Sequence, residues 1–396
     1  MGNSITEKLG ATPIMLYHDR CLNSRHRQSK CIYCAASCPT GALGIENGKV
    51  SLSVSACTGC GACLSTCPME VFTSESWSER YILGKLAEMP GERVRVLCAR
   101  QLAPQPKRYR ANIVRIKVCL GSISPGLLFE AGLKKEIQLC TSECAVCERA
   151  SLFANIEKSA ALANAWLIAV GRQACIVLSN ERPVFDEDRT WRRFLYLRAQ
   201  ETQEADVGRR EFLAGFARSG SSLFAAFAGG DRERVGPIDS RRSANAGKCR
   251  HIHRWREKLF EAYPRKYEAM GPGALWPQMT VSDACTGCGA CEQYCPSEAI
   301  RSEVKGGRMV RVFTPGLCAD CALCALACPV GAVTREYAAQ SHPFNPQVVL
   351  DKKVEECSRC HVPAIGTRDR LCHWCASELP IEFLLSDAQS HLLPSD

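Results

Sequence analysis

The sequence predicts a multidomain chain of mixed α+β and α/β class: two small cysteine-built modules, a middle domain with a parallel sheet, and a C-terminal pair of cysteine knuckles. Three observations predict it. Of 396 residues, 27 are cysteine. Most of them fall into four runs of one pattern, and the runs come in two pairs, at 21–67 and 285–328, which marks an internal repeat. Between the pairs, apolar strand-like segments alternate with helical ones, in the order a parallel sheet requires.

The regular runs are Cys57, Cys60, Cys63, Cys67 before Pro68; Cys285, Cys288, Cys291, Cys295 before Pro296; and Cys318, Cys321, Cys324, Cys328 before Pro329. The first run, Cys21, Cys31, Cys34, Cys38 before Pro39, is irregular. Three thiolates spaced by two residues wrap a short loop around an iron-sulfur cube, and the fourth, past a turn of helix, points to the cluster of the partner run. Proline then ends the segment. A zinc or disulfide framework is the competing reading of such cysteines. Both pairs resemble bacterial dicluster ferredoxins, which predicts ferredoxin-like modules over 12–80 and 274–345. Cross-ligation assigns Cys21, Cys31, Cys34 and Cys67 to one 4Fe-4S cluster and Cys57, Cys60, Cys63 and Cys38 to a second. Cys285, Cys288, Cys291 and Cys328 form the third set, and Cys318, Cys321, Cys324 and Cys295 the fourth.

One position departs from the pattern. Gln28 stands where the first ligand of the first run would fall, so Cys21 has to reach across an insertion carrying Arg25, His26, Arg27 and Lys30. A flexible loop closes that distance at modest entropic cost. The alternatives are a three-iron cluster or a substitute ligand. Basic residues over the cluster favour its reduced state.

In the middle domain, 90–200, strands are expected over 94–98, 113–119, 136–140 and 175–178, and helices over 125–133 and 145–171. Three strands end in cysteine, at Cys98, Cys119 and Cys140, and Cys144 and Cys147 follow on the next turn. Ligands of open parallel sheets gather at such carboxyl ends. The segments 114–125 (VRIKVCLGSISP) and 127–132 (LLFEAG), with the cysteine-rich turn, resemble the iron-sulfur delta subunit of methyl-viologen-reducing hydrogenases. That resemblance implies a 2Fe-2S cluster and electron delivery to a heterodisulfide reductase. The ligands chosen are Cys119, Cys140, Cys144 and Cys147, with Cys98 as the alternate. The turn Cys140, Cys144, Cys147 departs from the usual spacing of that family, which leaves the cluster type open. Cys175 opens an apolar strand and is left unassigned as a core thiol.

Residues 201–273 are rich in Arg, Gly, Ser and Pro and read as a basic linker with short helices, able to dock an acidic redox partner. Cys249, His251 and His253 alternate there, which does not let all three face one ion. Over 350–380, Cys357, Cys360, Cys372 and Cys375 form two C-x2-C knuckles, a zinc-ribbon or rubredoxin-like site. Zinc is expected and iron is the alternative; His361 and His373 stand beside the ligands.

Composition narrows the function. No apolar run approaches the roughly 18 residues of a membrane span. Residues 1–20 carry no secretory pattern, and so many thiols point to a reducing, cytoplasmic setting and anaerobic metabolism. The N-terminal match to a myristoylation signal is read as chance, and Arg209-Arg210 lies mid-chain, where an export signal is not read. The formal charge of +9 ignores anionic clusters, so it does not argue for nucleic acid. Phosphate-loop and G-x-G-x-x-G fingerprints are absent from the sequence. The expectation is an iron-sulfur electron-transfer subunit, not catalytic alone, serving a flavin- or metal-containing oxidoreductase complex of hydrogenase or heterodisulfide-reductase type. The alternatives are a thiol/disulfide oxidoreductase using Cys144 and Cys147, and an iron-sulfur sensor or assembly factor.

Overall fold

The computed structural model describes residues 14–26, 28–74, 79–102, 112–181, 254–263, 276–338, 343–366 and 369–377. Within those limits, residues 14–24, 30–181 and 254–263 form one compact unit, and 25–29 and 276–377 form a second. The motifs at Met1–Thr6, Arg209-Arg210, Cys249, His251 and His253 lie outside the described residues.

The first unit opens with a cysteine module. Strand β1 (Ile14–Leu16) leads into helices α1 (Leu22–Arg25) and α2 (Tyr33–Ala36), the hairpin β2 (Leu43–Glu46) and β3 (Lys49–Leu52), helix α3 (Ala62–Thr66) and strand β4 (Phe72–Ser74). β1 and β4 pair antiparallel, so the two ends of the module close on each other. The hairpin turns on Asn47-Gly48, both left-handed, as a two-residue turn between twisted strands requires.

The chain continues through α4 (Glu79–Glu88), β5 (Arg93–Cys98), β6 (Ile113–Ile116), α5 (Pro125–Gly132), β7 (Glu136–Cys140), α6 (Phe153–Ala169), β8 (Ile176–Ser179) and α7 (Arg254–Ala262). Strands β6-β5-β7-β8 form one parallel sheet, as the alternation predicts. Val94, Leu97, Val114, Ile116, Ile137 and Leu139 are buried in it, the near-continuous apolar signature of a covered parallel sheet. The chain leaves β5 toward β6 on one side and returns to β7 on the other. The order therefore reverses between β5 and β7, where open α/β sheets bind ligands beyond their carboxyl ends. Ser124 caps α5, accepting from the Leu127 N–H (3.1 Å), and Pro125 supplies a first-turn residue.

Three expectations change in detail. The strand expected over 113–119 stops at Ile116, and Cys119 caps a short turn at Leu120–Ser122. The helix expected over 145–171 begins at Phe153, because tight turns at Cys144–Val146 and Ala150–Leu152 take up the preceding chain. Within the predicted linker, Arg254–Ala262 is a helix of the first unit's core. Trp255, Leu259 and Tyr263 recur every fourth residue and are buried, and the Trp255 ring stacks on Trp166 at 4.5 Å. Gly126 lets that ring approach α5, since a Cβ there would overlap it. Trp255→Ala is expected to cost about 3–5 kcal/mol, and Gly126→Ala about 1–3 kcal/mol by overpacking. Denaturant unfolding of the two variants checks both values.

The second unit repeats the module with one addition. Strand β9 (Trp276–Val281), helix α8 (Ala290–Gln293), hairpin β10 (Ile300–Lys305) and β11 (Arg308–Phe313), helix α9 (Leu323–Leu326) and strand β12 (Val333–Ala338) follow the order of the first. β9 pairs with β12, and Gly306-Gly307 makes the left-handed hairpin turn. Strand β13 (Gln347–Lys353) then joins β11, and the chain ends in the small hairpin β14 (Glu355–Glu356) and β15 (Pro363–Ala364) with helix α10 (His373–Ala376). Among the described residues, no helix is long and apolar enough to cross a membrane.

Candidate metal centres

The regular cysteine runs share a backbone device. The residues on either side of the second cysteine are left-handed: Gly59 and Gly61, Gly287 and Gly289, and Asp320 and Ala322. This curls the loop inward. Glycine takes that conformation freely, whereas Asp320 and Ala322 hold it against their Cβ atoms. In the first run the corresponding Ile32 has φ −126°. There the Cys21 arm is tied to the loop by Asn23, whose side chain donates to the Cys31 carbonyl (2.8 Å) and accepts from the Cys31 N–H (2.9 Å).

Cys21, Cys31, Cys34 and Cys67 line one small apolar cavity of about 20 Å³. Burial, then repulsion from Cys31 and Cys21, pushes the Cys34 thiol up to about 11. Burial raises Cys67 to about 12, with Cys34 and Cys21 adding to it. Cys63 is raised by burial and by Cys60, Cys57 and Cys38. Burial lifts Cys288, opposed by Arg311 and reinforced by Cys328 and Cys285. Cys291 rises to about 12 through burial, against Arg311, with Cys288, Cys324 and Cys285 adding. Cys321 reaches about 12 by burial and the nearness of Cys295, Cys318 and Cys324. Each described cysteine is free of a disulfide. Such crowded, buried thiols ionise together only around a cationic centre, which is the donor set an iron-sulfur cluster takes.

The middle domain brings four thiols to one cavity of about 240 Å³ at the carboxyl ends of β5 and β7: Cys98, Cys119, Cys144 and Cys147. Lys117 and Arg149 line it beside them. Burial raises Cys119 to about 11, with Cys98 adding, and Cys144 to about 12, with Cys98, Cys119 and Cys147 adding. Cys140 is not part of this lining. It is 1% exposed and packs against Leu97 and Ile113, so the pleat of β7 turns its thiol into the sheet core. Cys175, expected in the core, is only partly buried, and its thiol donates to the Gly132 carbonyl (3.3 Å).

This cavity adjoins the loop of the second cysteine run. The Cys119 N–H donates to the Cys60 carbonyl (3.1 Å), Ser65 Oγ donates to the Gly121 carbonyl (2.8 Å), and Arg149 Nη2 donates to the Thr58 carbonyl (2.8 Å). Gly61 is required by the close approach: a Cβ there would lie 2.8 Å from Ser122 Cβ.

The C-terminal knuckles gather Cys357, Cys360, Cys372 and Cys375 with their four sulfurs within 4.8 Å of one another. The Cys372 N–H donates to Cys357 Sγ (3.1 Å). Burial raises the Cys357 thiol, but the N–H groups of Cys372, Cys360 and Arg359 outweigh it and bring it down to about 6. Cys375 goes up to about 12 through burial and hydrogen bonds to the other three sulfurs. His361 turns to Glu356 instead (2.6 Å), and His373 packs edge-on against Trp374. Trp374 Nε1 donates to the Cys288 carbonyl (2.9 Å), and Ile365 is buried in one cluster with Cys285.

Sequence reasoning missed Arg311, Asn23, Ser65 and Trp374. Only Arg311 carried a local signal: it alternates with Met309 and Phe313 and so falls on the buried face of β11. Ser65 and Trp374 act across contacts distant in sequence, and Asn23 ties Cys31 across the irregular loop of the first run.

Residues 29–83 and 284–332 match two different family models, each of a 4Fe-4S dicluster domain. The chain is also similar to ferredoxin Fdx2 of Sorangium cellulosum (strain So ce56), 32% identical over 80 residues, which covers 19% of this chain and 66% of that protein. Cys21 precedes the first matched segment, and the parallel sheet lies outside both. The chain thus carries two 4Fe-4S dicluster ferredoxin domains.

Proposed function

We propose that this chain, built around two 4Fe-4S dicluster domains, is an electron-transfer subunit that relays electrons between protein redox partners. Its clusters are held by Cys21, Cys31, Cys34, Cys67; Cys57, Cys60, Cys63, Cys38; Cys285, Cys288, Cys291, Cys328; and Cys318, Cys321, Cys324, Cys295. The middle cavity takes a 2Fe-2S cluster on Cys98, Cys119, Cys144 and Cys147, with Cys98 in place of Cys140. The knuckles take zinc as a closed, structural site. The partner is a flavin- or metal-containing oxidoreductase of the hydrogenase or heterodisulfide-reductase kind, the setting that the resemblance of the middle domain implies.

The observation that carries the reading is the gathering of free thiols into groups of four, where burial and the neighbouring sulfurs oppose ionisation and a bound cation would favour it. The bonds from Cys119 and Ser65 to the second cysteine loop support a direct hand-over between the middle site and the neighbouring 4Fe-4S centre. These side chains and loops hold the clusters, exclude water and set the potential by burial and N–H bonds to sulfur. The thiol-oxidoreductase alternative needs a lowered thiol at Cys144. Burial and its neighbours instead raise it to about 12, which disfavours that reading.

Metal analysis of protein purified without oxygen tests the proposal. Roughly 18 irons per chain are expected, four cubes and one two-iron centre, with one zinc. About 16 irons or fewer would remove either the middle cluster or the Cys21 site from the assignment.

A further inference from the structure

The two centres of the second module stand in unlike electrostatic surroundings. Arg311 is 2% exposed, on the buried face of β11. Its Nη1 donates to Cys285 Sγ (3.6 Å), its Nε to Ser302 Oγ (2.8 Å), and its Nη2 lies 3.7 Å from Met309 Sδ. A guanidinium stays protonated, and burying it without a counter-charge is costly. Glu292 acts on Arg311 through its field; the groups bonded to the guanidinium are sulfur and hydroxyl. The counter-charge in direct contact is thus the sulfur set around Cys285.

The partner centre also has a cation, but a neutralised one. Arg335 forms an ion pair with Asp320, and Asp320 accepts a second bond from the Tyr337 hydroxyl. Asp320 stands two residues from Cys318, and its N–H donates to Cys318 Sγ (3.4 Å). A fixed positive charge beside one centre and a paired charge beside the other break the symmetry of the module.

We propose that Arg311 makes the Cys285, Cys288, Cys291 and Cys328 centre the higher-potential one of its module, so that an electron entering the module comes to rest there. The inference rests on the 4Fe-4S reading above. The step is a one-electron reduction with no bond made or broken, and the electron comes from a reduced protein partner. Added negative charge lies against a desolvated cation, where attraction is poorly screened.

The test is an anaerobic potentiometric titration of the full chain followed by EPR, with iron content measured on the same samples. Arg311→Gln is expected to keep its iron and to lower the potential of one 4Fe-4S signal. At the wild-type midpoint, the ratio of reduced to oxidised centre should fall at least tenfold, about 59 mV for one electron. Arg311→Lys, which keeps the charge, should stay close to wild type. Full iron with unchanged potentials in Arg311→Gln overturns the proposal. Where Arg311→Gln loses a cluster, Cys318→Ser decides in its place: the higher-potential signal of the module must survive that change, and its loss overturns the proposal. Failure of the cluster reading itself shows separately, as missing iron in the wild-type chain before any titration.

Discussion

Exchanging Cys98 for serine is expected to remove about two of roughly 18 irons and one EPR-active centre, whereas exchanging Cys140 for alanine leaves the iron content unchanged. Both cysteines end strands of the same sheet, β5 and β7, so spacing alone treats them alike. Their surroundings differ. Cys98 lines the cavity with Cys119, Cys144 and Cys147, while Cys140 packs on Leu97 and Ile113. Burial pushes the Cys140 thiol up to about 11, only partly offset by Arg95, with no sulfur among the groups acting on it. Losing that sulfur costs roughly 1–2 kcal/mol of packing and no metal. The measurement is iron content with EPR on both variants; iron lost from Cys140→Ala and retained in Cys98→Ser would return Cys140 to the ligand set.

Removing the metal proposed for the C-terminal knuckles is expected to have the second large effect. The core of this segment is Cys357, Ala364 and Cys372 with the remaining two thiols, Leu371 and Trp374 around them, too little apolar material to fold unaided. Structural zinc contributes on the order of 10–16 kcal/mol in peptides of this kind, so Cys372→Ser should unfold the knuckle. Ile365 then leaves the cluster around Cys285, and Trp374 releases the Cys288 carbonyl. The expected result is faster bleaching of one 4Fe-4S centre by oxygen, with the others unaffected. Bleaching at the wild-type rate would show that the knuckle does not shield the Cys285 loop. Zinc bound as proposed would displace the proton of Cys375, whose thiol burial and the neighbouring sulfurs push up to about 12. Affinity for the metal should therefore rise with pH, which a chelator competition measures.

Cysteine spacing was legible because it is local: three cysteines of each regular run lie on one short loop, and glycines at 59, 61, 287 and 289 announce its left-handed turns. The parallel sheet was legible for the same kind of reason, since apolar strands and a capped helix at Ser124-Pro125 are properties of contiguous segments. Short helices were expected in the basic stretch, but the core packing of the one at Arg254–Ala262 was hidden, because its buried stripe of Trp255, Leu259 and Tyr263 gains meaning only against Gly126 and Trp166.

By itself the sequence determined which thiols share a loop, how many cluster-type runs there are, and the alternation that makes a parallel sheet. Tertiary structure decided which of five middle-domain cysteines meet, that Cys119 bonds to the Cys60 carbonyl, and that Arg311 is buried against Cys285. The division follows from range: loop ligation and helix capping act over a few residues, whereas pleat direction, burial of a charge and contacts between loops depend on segments brought together by the packing of the core.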